Sequence, residues 1–71
     1  MKALIIEDES VAAEKLEKML MEIDPSITVV GKPGSIRDSV RWLMQNRADI
    51  IFLDIQLSDG ISFSIFEQVA V

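Results

Sequence analysis

Ala3-Leu4-Ile5-Ile6-Glu7-Asp8-Glu9 sets four apolar residues against three consecutive acids, and Asp49-Ile50-Ile51-Phe52-Leu53-Asp54 is a second four-residue apolar run framed by acids. Short, continuous apolar runs suit strands buried on both faces, as in parallel sheets. Ile27-Thr28-Val29-Val30 lies between them and is β-branched throughout, which favours a pleated surface. Strands are therefore expected over about 3–7, 27–31 and 49–54.

The intervening segments have helical spacing. From residue 10 to 23 the apolar positions are Val11, Ala12, Leu16, Met19, Leu20 and Ile23, with Glu14, Lys15, Glu17, Lys18 and Glu22 on the outer side. Ser10 is the expected N-cap, and Asp24-Pro25 ends the helix because a residue before proline avoids the helical region. Gly31-Lys32-Pro33-Gly34 is a turn, after which Ser35 caps a helix over 35–46 with Asp38 in its first turn. Ile36, Val40, Leu43 and Met44 mark the buried face of that helix, and Trp42 is expected to be partly buried. Ser58-Asp59-Gly60 is a loop, and a third helix is expected over about 60–70, with Ile61, Phe63, Ile65, Phe66 and Val69 covering the third strand. The order β-α-β-α-β-α requires parallel strands joined by crossovers, hence an α/β layered fold.

Composition narrows the function. Twelve acidic against seven basic residues give a net charge of −5, opposite in sign to what phosphate backbones need, so this segment is not expected to bind nucleic acid directly. No stretch approaches the ~20 apolar residues of a membrane span, and there is no cysteine. The apolar run at 3–6 is cut off by acids and is too short for an export signal, so the expected location is cytoplasmic. No histidine is available as a general base, and neither glycine-rich phosphate motif occurs, so the chain is not expected to be an enzyme.

What remains are the strand-end acids. In doubly wound sheets, ligands bind beyond the carboxyl ends of the strands, where strand order reverses. If the first strand is flanked by the other two, Glu7, Asp8 and Asp54 converge there. Three carboxylates at close range repel one another unless a cation intervenes, and oxygen-only ligands suit a hard cation such as Mg²⁺. Singly, each acid is more simply a solvated loop residue; together they mark the ends of two neighbouring strands, while the second strand ends in uncharged Gly31.

The segments Leu4-Ile5-Ile6-Glu7-Asp8-Glu9 and Ile50-Ile51-Phe52-Leu53-Asp54-Ile55-Gln56-Leu57-Ser58-Asp59-Gly60 resemble the receiver domain of two-component response regulators, most of all receivers that precede LytTR-type DNA-binding domains. The resemblance implies a flavodoxin-like doubly wound parallel sheet, of which the 71 residues match the first three β-α units. It implies that Asp54 is the phosphoacceptor, charged by a histidine kinase, and that Glu7 and Asp8 position Mg²⁺ (or Mn²⁺). The backbone carbonyl of Gln56 would complete the metal shell, and phosphorylation would control a transcriptional output domain. Ser58 stands where the family often carries proline. A complete receiver has about 120 residues, close to the common domain size. The family's hydroxyl residue after a fourth strand and lysine after a fifth have no counterpart here, so the chain is expected to be a partial receiver with impaired phosphorylation. An open third strand is expected to favour a homodimer or strand-exchanged oligomer. The alternative reading is a non-phosphorylated module that self-associates through that edge.

Overall fold

A computed structural model describes residues 1–54, 56–57 and 59–69, with Gln56 described through its backbone only. Lys2–Ile6 forms β1, Thr28–Gly31 forms β2 and Ile50–Leu53 forms β3. They make a parallel sheet in the order β2-β1-β3, so the most apolar run takes the centre. Ala3 to Ile6 are fully buried there. β1 ends one residue before the expected span, and β3 is one residue shorter at each end, because Glu7, Asp49 and Asp54 fall just outside the ladder, where Asp54 N–H still donates to the Ile6 carbonyl at 2.9 Å and Asp49 N–H to the Lys2 carbonyl at 2.8 Å.

Strand alternation divides the core. Ile5 faces α1 (Ser10–Ile23), meeting Ala13, Leu16 and Leu20 beside Val29 and Phe52. Leu4 and Ile6 face the opposite side and pack with Ile36, Leu57 and Ile65, flanked by Val40, Trp42 and Leu43 of α2 (Ile36–Gln45). Helices thus cover both faces of a parallel sheet, the doubly wound, flavodoxin-like arrangement.

The β1–β2 register slips between Ala3 and Leu4: Ala3 pairs with Val29, but Leu4 pairs with Gly31, leaving Val30 outside the pairing. Glycine at 31 is required by close approach, because a Cβ there would stand 2.7 Å from Trp42 Nε1 and 3.0 Å from Leu4 Cδ1.

The helix ends follow local chemistry. Ser35 caps α2 as expected, its hydroxyl accepting from Asp38 N–H at 3.0 Å. Asp24 ends α1: its N–H donates to the Leu20 carbonyl at 2.9 Å, and its carboxylate receives the Ser26 N–H and hydroxyl at 3.0 and 2.7 Å. The N-cap of α1, however, is Glu9, not Ser10, which is the first helical residue. Glu9 N–H donates to the Glu7 carboxylate at 3.2 Å, which tightens the short turn after β1, and no side chain caps this helix start.

The third helix departs most from expectation. Gln56–Leu57 (β4) and Gly60–Ile61 (β5) form a small antiparallel hairpin, followed by a 3₁₀ turn at Ser62–Ser64 and a four-residue α3, Ile65–Gln68. Gly60 has φ 141°, which no right-handed helix accommodates, and Leu57 and Ile65 are the two buried anchors between which the chain is drawn. Only Ile65 of the expected apolar face is buried; Ile61, Phe63 and Phe66 are exposed. The remainder of the expected helix, from residue 70, lies outside the described residues. Val11, Met19 and Ile23 of α1 and Met44 of α2 are also exposed, since each helix touches the sheet through a narrower stripe than its apolar residues span.

Candidate functional site

The pairing of Ile6 with Leu53 sets the ends of β1 and β3 side by side. The next residues, Glu7-Asp8 and Asp54, therefore emerge together from the carboxyl edge of the sheet. One carboxylate oxygen from each of Glu7, Asp8 and Asp54 lies within 4.8 Å of the other two. Glu7 and Asp54 are half-buried, and Asp8 is exposed.

Crowding marks the electrostatics. The Glu9 N–H bonded to Glu7 favours its ionised form. Burial, a hydrogen bond with Asp8, and repulsion from Asp54 and Asp8 together outweigh it, so the Glu7 carboxyl sits above its ordinary range. A divalent cation would reverse the repulsive part. Across a Mg²⁺ octahedron with metal–oxygen distances of about 2.1 Å, opposite oxygens stand about 4.2 Å apart, so three oxygens already within 4.8 Å fit such an ion after small side-chain rotations.

The turn between β2 and α2 forms one wall. Glu7 N–H donates to the Pro33 carbonyl at 3.2 Å. Gly34 lies against Glu7 and Asp8, where an added Cβ would stand 3.6 Å from the Glu7 carbonyl oxygen and 3.8 Å from Asp8 Cα. A cavity of about 220 Å³ opens here, lined by Glu7, Asp8, Ser10, Glu14, Lys32 and Gly34. Lys32, the cation on this rim, is paired with Glu17 at 2.7 Å. Gln56 lies in β4, its backbone paired with Ile61.

One contributor to this end of the molecule is a residue that the sequence places only in a loop. The Asp59 carboxylate accepts the first two N–H groups of α2, from Ile36 at 2.8 Å and Arg37 at 3.2 Å. These bonds, that from Ile36 foremost, hold its carboxyl below the ordinary aspartate range. The one sequence signal was an aspartate ahead of a glycine; nothing local pointed to a helix more than twenty residues upstream.

Among the described residues, no helix is long and apolar enough to cross a membrane. No family model matches the chain, and no solved structure does. Curated relatives do. The chain is 42% identical over 65 residues to the sensory transduction protein LytT of Bacillus cereus, covering 92% of this chain and 26% of that protein. It is 32% identical over 69 residues to LytT of Enterococcus faecalis, covering 97% of the chain and 28% of that protein. It is 39% identical over 59 residues to the transcriptional regulatory protein LytR of Staphylococcus aureus, covering 83% of the chain and 24% of that protein. The chain spans about a quarter of the length of these relatives. Over the stretch they share, the chain is a homologue of the receiver region at the N-terminus of the LytT/LytR response regulators.

Proposed function

We propose that the chain is the phosphoacceptor part of a cytoplasmic two-component signalling protein, with Asp54 as the acceptor, and that it is a substrate of a kinase, not an enzyme itself. The observation that carries this reading is the meeting of Glu7, Asp8 and Asp54 at the edge of the sheet, in a chain related to response regulators. An Asp54 carboxylate oxygen attacks the phosphorus of a kinase phosphohistidine; the N–P bond breaks, the imidazole leaves with its electron pair, and an acyl phosphate forms. Glu7 and Asp8, with Asp54 and the Gln56 carbonyl, would hold Mg²⁺ or Mn²⁺. The bound ion supplies positive charge for the transferring oxygens, the dominant requirement in phosphoryl transfer. In a longer regulator the modified aspartate would bias a two-state equilibrium that controls a transcriptional output domain. Among the described residues, the outer edge of β3 has no strand partner, which supports self-association through that edge.

The test is incubation with a phosphorylated histidine kinase and Mg²⁺, with Asp54→Asn alongside. In a longer regulator that carries this segment, a mass gain of one phosphoryl group, absent in the variant and abolished by chelation, is the expected result; the 71 residues alone, without counterparts of the family's hydroxyl and lysine, are expected to gain it weakly or not at all. Failure of the intact regulator containing this segment to gain the group would remove the reading.

A further inference from the structure

The three acids come from two separate stretches of backbone, and their spacing depends on what fixes those stretches to each other. On one side, Glu7-Asp8 is held by the turn entering α2, through Glu7 N–H to Pro33 and the packing of Gly34. On the other, Asp54 N–H is tied to Ile6, and the chain then continues into the β4–β5 hairpin, whose Leu57 is buried among Leu4, Ile6, Ile36 and Ile65. The Asp59 carboxylate joins the two sides, because the residues whose N–H groups it accepts, Ile36 and Arg37, directly follow the turn that walls Glu7 and Asp8. Gly60 packs beside the same point, with an added Cβ only 3.0 Å from Ile36 Cδ1.

We infer that Asp59 is a positioning residue for the acidic cluster: by accepting both N–H groups it closes a circuit from Glu7 through the α2 entry and the hairpin back to Asp54, and so sets the separation of the three carboxylates. This rests on the cation site proposed above. Ser35 accepts only the Asp38 N–H, so the part-buried Ile36 N–H and the exposed Arg37 N–H at the start of α2 fall to Asp59, which serves the helix start as well as the hairpin. What Asp59 adds is the link between the hairpin and the helix. Groups outside the ligand shell that orient it are commonly worth 10–100-fold in metal affinity.

The experiment is a calorimetric titration of the full chain with Mg²⁺, comparing wild type, Asp59→Ala and Asp59→Asn at pH 7 in sucrose, which favours the compact state. Far-UV circular dichroism matches the folded fractions. The expected result is Mg²⁺ binding weakened about 10-fold in Asp59→Ala, with a smaller loss in Asp59→Asn, whose amide oxygen can still accept from Ile36. Unchanged Mg²⁺ affinity in both variants, even with a lower unfolding midpoint, overturns the inference and leaves the cation site standing. No Mg²⁺ binding by the wild type removes both.

Discussion

Replacing Glu7 by glutamine should make the metal-free protein more stable at neutral pH. The amide keeps the oxygen that accepts the Glu9 N–H while removing one of three crowded charges. Two unit charges no more than 4.8 Å apart repel by at least about 0.9 kcal/mol in a medium like bulk water, and by about 3.5 kcal/mol at an effective dielectric of 20. The partly exposed site lies towards the watery limit. Asp8 neighbours Glu7 in the unfolded chain too, so folding creates chiefly the pair with Asp54. The expected gain is therefore about 1 kcal/mol, or roughly 4–8 °C in midpoint for a domain of this size.

The pH dependence has a definite sign. A carboxyl whose folded pKa is raised contributes stability below its ordinary value of 4.5 and loses it as pH rises through the folded value. The advantage of Glu7→Gln should accordingly be absent below that value and emerge above it. It should shrink in 1 M salt, where the screening length is about 3 Å, and reverse in millimolar Mg²⁺ as the wild type gains its cation. Thermal unfolding followed by circular dichroism over pH 3.5–7.5 reads all three. A variant no more stable than wild type at pH 7 in low salt, or one whose advantage does not fall on acidification, would refute the electrostatic reasoning.

Gly31→Ala forces a methyl group to within 2.7 Å of the Trp42 indole nitrogen; a loss of about 1–3 kcal/mol outweighs the smaller entropic gain of replacing glycine, and the single tryptophan should report the displacement as an emission shift. Ile65→Ala empties a fully buried position beneath the hairpin and should cost about 2–5 kcal/mol in urea unfolding; a loss below 1 kcal/mol would mean that α3 is not docked as described. Asp59 and Asp24 both have carboxyls held low, by the Ile36 N–H and the Ser26 hydroxyl respectively, so their contributions are present above the ordinary value of 3.8 and lost as pH falls through the folded values. The stability gap between wild type and Asp59→Ala should be constant from pH 5 to 7 and close in more acid solution.

The parts that were legible in the sequence are those governed by local pattern. Ala3–Ile6 announced a central strand because four apolar residues ended by three acids suit burial on both faces, and Ser35 announced a helix start by its own chemistry. The meeting of Glu7, Asp8 and Asp54 followed once the strand order was assumed. What failed depended on distant partners. Phe63 and Phe66 are three residues apart and Ile61 and Ile65 four, which is helical spacing, but whether that segment coils is decided by Leu57 entering the core and Asp59 reaching α2. The start of α1 is a local exception: Glu9 is the N-cap with no side-chain cap bond, and its N–H is held by the Glu7 carboxylate two residues earlier. Spacing shows which residues are apolar; it does not show how wide a stripe the sheet will cover, and so Val11, Met19 and Ile23 remained outside.

The displaced Val30 has a consequence for assembly. An irregular strand offers a poor template to a newcomer, whereas β3 pairs with β1 in unbroken register and presents a regular outer row of backbone groups. The self-association proposed above would accordingly use the β3 side, which among the described residues has no strand partner. Two copies that met through their regular rims would each be left with only the kinked rim facing outwards, so the union would close as a two-fold pair and stop instead of propagating into a fibre.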